Sequence, residues 1–188
     1  MHSVLKKTEN PAFKHAVHSS AIEGCLEVLS QASRCLEVFG DDDYRSSATP
    51  YVTSTIGEHF RHWLDVFKAI HHANYPANSV IDYNQRRRGH AIETSRFMAQ
   101  SEIAELTDWL ACLSESELKK SVSIITEVAL SHTQACCMSS TLEREITFAA
   151  LHANHHFAMI KVTANLMNKP IDADFGIAPA TATFLRGQ

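Results

Sequence analysis

The sequence predicts a mainly α-helical fold: a four-helix bundle with a small β-hairpin between the third and fourth helices. Three observations predict it. Apolar residues recur at spacings of three and four in four separate stretches, the period of a helix with one buried face. Between the third and fourth stretches, Val122, Ile124, Thr126, Val128 and Leu130 alternate with Ser123, Ile125, Glu127 and Ala129, the period of a strand. The chain has 188 residues, 45% of them hydrophobic and 20% charged, the composition of an ordinary globular domain. A single domain over residues 1–188 can bury about 70% of its unfolded surface.

Residues 1–14 are a polar lead-in containing Pro11. The first helix runs from Val17 to Phe39, with Ile22, Cys25, Leu26, Leu29, Ala32, Leu36 and Phe39 inward. Gly40 and Asp41-Asp42-Asp43 end it. His18 falls on the inner face and reads as a core histidine. A loop through Thr49-Pro50 leads to the second helix, opened by Ser54 or Thr55 and running to about His72. Its stripe is Ile56, Phe60, Trp63, Phe67 and Ile70. His59 lies just off that stripe, on the side of Trp63 and Val66, and His62 is one step nearer the flank. Arg61 and Asp65 read as solvated. His71 and His72 suit the negative end of the helix dipole.

Residues 73–92 form the longest irregular stretch. It carries Arg86-Arg87-Arg88, read as solvated or ion-paired ahead of an anion-binding role. Thr94 caps the third helix, with Met98, Ala99, Glu102, Ile103, Leu106, Trp109, Leu110 and Leu113 inward. The return strand of the hairpin is Thr133 to Met138. Ser140-Thr141-Leu142-Glu143 then matches a capping box and opens a helix to about Met167. The tail beyond Asn168-Lys169-Pro170 is apolar enough to pack back on the helices.

A net charge of -4 argues against nucleic acid as the main partner. No apolar run is long enough to span a membrane, and the N-terminus lacks a signal h-region. The five cysteines are odd in number and include no C-x-x-C, which fits a reducing cytoplasm. Adjacent Cys136 and Cys137 would point to opposite faces of a strand and read as packing residues.

The fourth helix carries the chemistry. His152 and His156 stack on one face and can aim two imidazoles at one ion. Twelve histidines give about one such pair by chance, so the neighbours matter. Alanines and Phe157 put the pair inside the protein, where neutral imidazole needs a partner. Two His need a further protein ligand. His59 is the inward candidate, with His62 and His155 as outer residues behind the ligands. Glu145 lies on the same face as His152, about 10.5 Å earlier along the axis. That is too far for the same tetrahedron, but a carboxylate there can serve as catalytic base or orient a His. The competing reading is a first-turn Glu that suits a helix N-terminus.

Four helices, one small hairpin and inward His resemble the DinB/YfiT-like superfamily of metal-dependent enzymes. Thr55-Ile56-Gly57-Glu58-His59-Phe60-Arg61-His62 is similar to the family's second-helix segment. Asp82-Tyr83-Asn84 with Glu93-Thr94 resembles the connection to its third helix. His152-Ala153-Asn154-His155-His156 is similar to its H-x-x-H-H, and Asp174-Phe175-Gly176-Ile177-Ala178-Pro179 to the tail of one branch. The resemblance implies a divalent ion, zinc or nickel, on His59, His152 and His156. Characterised relatives are S-transferases and isomerases that use low-molecular-weight thiols. Phe157-Ala158-Met159 stands where many relatives have Arg-Gly-Gln.

The function expected is metal activation of a thiol or water for transfer to, or hydrolysis of, a small electrophile by a homodimer. The alternative is a non-catalytic metal- or ligand-binding helical protein, also dimeric. A ferritin-like di-metal site needs E-x-x-H motifs, which do not occur here, and a zincin needs Glu where Ala153 stands. Metal uptake is expected to fall as pH drops through the His range near 6.5.

Overall fold

The computed structural model describes residues 19–74 and 79–187. The expected lead-in, Val17, His18 and residues 75–78 lie outside the described residues. Helix α1 (Ser20–Val38) begins where the Ser19 side chain accepts from the Ile22 N–H. Its Ile22, Cys25, Leu29, Ala32 and Leu36 are buried, as their spacing predicts. The aspartates that end it form a single helical turn, α2 (Asp41–Tyr44). Helix α3 (Ile56–Ala73) opens with a reciprocal cap: Thr55 accepts from the Glu58 N–H, and Glu58 accepts from the Thr55 N–H. Then come strand β1 (Val80–Asp82), a 3-10 turn at Ala91–Glu93, and α4 (Arg96–Ala111), capped by Ser95 rather than Thr94. A short α5 (Glu115–Leu118), strands β2 (Ser121–Glu127) and β3 (Ala135–Thr141), the long α6 (Leu142–Leu166) and α7 (Pro179–Leu185) complete the order. No helix among the described residues is long and apolar enough to cross a membrane.

The protein is mainly α-helical with one small sheet. Helix α1 packs against α4 and α6, and α3 packs against the same two, so the apolar faces close on a shared core. At the N-terminal end of α3 the contact is tight. A Cβ on Gly57 would sit 2.0 Å from the Glu93 carbonyl oxygen, so only glycine lets the 3-10 turn approach.

The strands are more than the expected hairpin. β2 and β3 pair antiparallel, but β1 adds a third strand, parallel to β2 with Val80 opposite Ser123. Val128 and Leu130 leave the sheet and are 59% and 108% exposed, because β3 ends its pairing at Ala135. At the other end Ser140 is still paired with Val122, so the cap of α6 falls on Thr141, which accepts from the Arg144 N–H. Cys137 is exposed and Cys136 half-buried, outside the core. The tail does pack back: Phe175 is buried and stacks on Phe157 at 4.7 Å, and Asn154 Nδ2 donates to the Ile177 carbonyl.

Arg61 and Asp65 are buried, against the expectation of solvation. They pair with each other at 3.4 Å, and their closer partners come from distant parts of the chain. Arg87 donates to Asp65 through Nε at 2.6 Å and through its backbone N–H, and forks onto Glu102 with Nη1 and Nη2 at 2.8 and 2.6 Å. Arg61 donates to Glu93 at 2.8 Å. A fork of parallel bonds between guanidinium and carboxylate is a strong, directional contact, and here it pins the loop carrying residues 83–88 onto α3 and α4. Arg87→Met is therefore expected to lower unfolding stability by about 3–5 kcal/mol, read from the urea midpoint, because it leaves buried Glu102 without its partner and Asp65 with Arg61 alone, at 3.4 Å. A loss under about 1 kcal/mol would show that water replaces the guanidinium freely.

Candidate metal centre

Helices α3 and α6 meet through histidines. His59 and His62 stand about one turn apart on α3, and His152 and His156 about one turn apart on α6. Ala149 and Ala153 on α6 are fully buried, and Trp63 of α3 meets Phe157 of α6 edge-on at 5.6 Å. His62 Nε2 lies 3.3 Å from His152 Nε2, and His59 Nδ1 lies 3.1 Å from His156 Nδ1. The His62 and His152 rings stand 4.6 and 4.8 Å from the His156 ring. His62, His152 and His156 each offer a nitrogen within 4.8 Å of the others, close enough to hold one ion.

The structure thus brings together His152 and His156, as their spacing predicts, and adds His62, which helical projection puts nearer the flank. His59 is buried at 9% exposure and its Nδ1 meets that of His156. His155 is exposed, with its ring 5.4 Å from that of His156. The donor chemistry fits a divalent ion. Two imidazole lone pairs facing each other repel unless a proton or a cation lies between them. Nitrogens at 2.0–2.1 Å from a tetrahedral zinc are about 3.3 Å apart, the spacing of His62 and His152.

Electrostatics favour neutral rings. Burial pushes His62 down to about 4, helped by the Arg86 charge and by His152. Burial pushes His156 down to about 3, with His62, His152 and His59 crowding it. His59 and His152 are also held below the ordinary imidazole value, chiefly by burial. Imidazoles that refuse protons remain available as ligands.

Glu145 is fully buried in the first turn of α6, and both its oxygens are engaged. Oε2 accepts from the Tyr83 hydroxyl at 2.6 Å, and Oε1 accepts from Ser140 Oγ at 2.6 Å and Arg144 Nη1 at 2.9 Å. Phe148 stands between this cluster and the imidazoles, 5.6 Å from the Tyr83 ring and stacked on His152 at 5.8 Å. Glu145 therefore meets the site through Tyr83 and Phe148 rather than through an imidazole. Tyr83 is expected from the sequence only as part of the Asp82-Tyr83-Asn84 connection and not as a site residue, since one Tyr in an irregular stretch carries no periodic signal. Beside His152 opens a cavity of about 240 Å³, walled by Val66, Tyr83, Ile124 and Phe148, with Arg86 at its side.

The depressed values shift the pH window. The folded rings stay neutral below 6.5 while the unfolded chain takes up protons there, so stability is complete above 6.5 and lost as pH falls toward 4. Zinc retention in equilibrium dialysis is expected to hold from pH 7.5 to about 5.5 and to collapse near 4, lower than ordinary imidazoles would give. Half-loss of zinc near pH 6.5 would show that the rings titrate as solvated histidines.

Comparison with known proteins adds little to the geometry. No family model and no solved structure matches the chain. FK506-binding protein 5 of Rhizopus delemar is 24% identical over 110 residues, which is 58% of this chain and 29% of that protein. The chain thus spans less than a third of the length of this curated relative.

Proposed function

We propose that this chain is a divalent-metal-dependent enzyme of the DinB/YfiT-like kind: one domain over residues 1–188, built as a four-helix bundle. Zinc or nickel is held by His62, His152 and His156. The observation that carries this reading is the convergence of three imidazole nitrogens, from two helices, within 4.8 Å. Three neutral imidazoles leave a coordination position open, the arrangement of catalytic rather than structural sites. A bound ion supplies Lewis acidity that keeps water or a low-molecular-weight thiol deprotonated near neutral pH.

The protein's own groups do the rest. His59 braces His156 through Nδ1, which fixes the ring and leaves His59 outside the trio. The cavity beside His152 admits a small electrophile against the side chains of Phe148 and Val66. Glu145 fixes the Tyr83 hydroxyl at the cavity wall, and is a positioning residue in this reading. Assembly as a homodimer is supported by Leu151, Val162 and Leu166, which α6 exposes at 54%, 46% and 48%. A cytoplasmic setting is supported by five free cysteines. The full engagement of Glu145 favours a second reading, a non-catalytic metal-binding protein on the same site.

Zinc titration of chelator-treated protein tests the metal site. His62→Ala, His152→Ala and His156→Ala are each expected to abolish stoichiometric uptake, and His59→Ala to weaken it by roughly 10–100-fold, as loss of a supporting partner does. Wild-type uptake by all three trio variants would sink the proposal. Glu145→Gln is expected to keep metal content and to lose about 1–3 kcal/mol of stability as its charge-assisted bonds weaken. In a screen of thiols and electrophiles, turnover by wild type separates enzyme from binder, and an unchanged rate in Glu145→Gln would remove Glu145 from the reaction.

A further inference from the structure

The arginine triplet divides by role. Arg87 is consumed by Asp65 and Glu102, and Arg88 is exposed. Arg86 is half-buried, and only its Nη1 meets protein acceptors among the described residues, the carbonyls of Tyr83 and Gln85. It forms no ion pair with a carboxylate among those residues, and Asp65 and Asp82 attract it only at longer range. A guanidinium has five N–H donors in a rigid fork, so most of this one is unspent. Its charge is felt at both His62 and His152, which puts it at the edge of the imidazole group. The same side chain lines the cavity beside His152, whose other walls are Val66, Ile124, Met138 and Phe148 on the apolar side and Tyr83, Thr126 and Arg144 on the polar side. At about 240 Å³ that cavity is smaller than the roughly 300–1,000 Å³ of drug-sized sites, so its ligand is small.

We propose that this cavity binds a small organic carboxylate, its acid group on the free donors of Arg86 and its apolar body against Phe148 and Ile124. Charge selects the occupant. A neutral ligand leaves the charge of the half-buried Arg86 unmatched, a cation meets Arg86 and Arg144, and a carboxylate matches the fork. The assignment deepens the proposed function by naming its substrate class, and it rests on that reading only for what happens at His152. The anion site itself needs no ion.

Phenylacetate and its neutral isostere phenylacetamide serve as probes, titrated by calorimetry into the full chain after chelator treatment. Phenylacetate is expected to bind about 10–100-fold more tightly than the amide, the margin of a hydrogen bond to a charged group over a neutral one. Arg86→Gln erases that preference and Arg86→Lys keeps part of it, with thermal melts reporting that both remain folded. Equal affinity for the two probes, or a preference that survives Arg86→Gln, overturns the proposal. Zinc is titrated separately into the same preparations. Arg86-dependent phenylacetate binding by a chain that takes no zinc sustains the anion site and removes the metal reading. Zinc uptake without a phenylacetate preference does the reverse.

Discussion

The constraint on which the structure depends is the close approach of α3 to α6. Trp63 meets Phe157 across it, and four imidazoles, two from each helix, meet beside them. Removing a neutral imidazole from water without a partner is costly, so these rings must satisfy one another or share a cation. Their mutual crowding and burial then keep them unprotonated, which is the state a metal needs. Packing, titration and ligand capacity are in this sense one property of one helix contact.

A second layer holds the contact in place. The loop after β1 is tied down by Arg87, whose guanidinium satisfies two carboxylates on two different helices. With that loop fixed, Tyr83 and Arg86 face the space beside His152. Glu145 works from the opposite side, gathering Tyr83, Ser140 and Arg144 onto one buried carboxylate, and so joins the loop, the sheet and α6. Of these groups Tyr83, Arg86 and Arg144 line the cavity, together with Val66 and Ile124 from the apolar core.

Much of this was legible in the sequence. The four long helices follow from apolar spacing, and the opening of α3 at Ser54 or Thr55 resolves to Thr55. The inward pair on α6 follows from His152 and His156 being four residues apart. The missing parts have a common physical cause: they depend on partners distant in the chain. β1 has three residues and exists because β2 accepts it in parallel, so no local alternation announces it. Arg61 and Asp65 look solvated until Arg87 and Glu93 are brought against them. The roles of His59 and His62 turn on a few tens of degrees of helix rotation, finer than an apolar stripe can fix, and the structure seats His62 against His152 and His59 against His156.

X-ray absorption at the zinc edge, on protein loaded with one equivalent at pH 7.5, tests the central claim most directly. Three imidazoles at about 2.0–2.1 Å, falling to two in His62→Ala and remaining three in His59→Ala, is the predicted result. A zinc environment dominated by oxygen, or one untouched by His62→Ala, would contradict it.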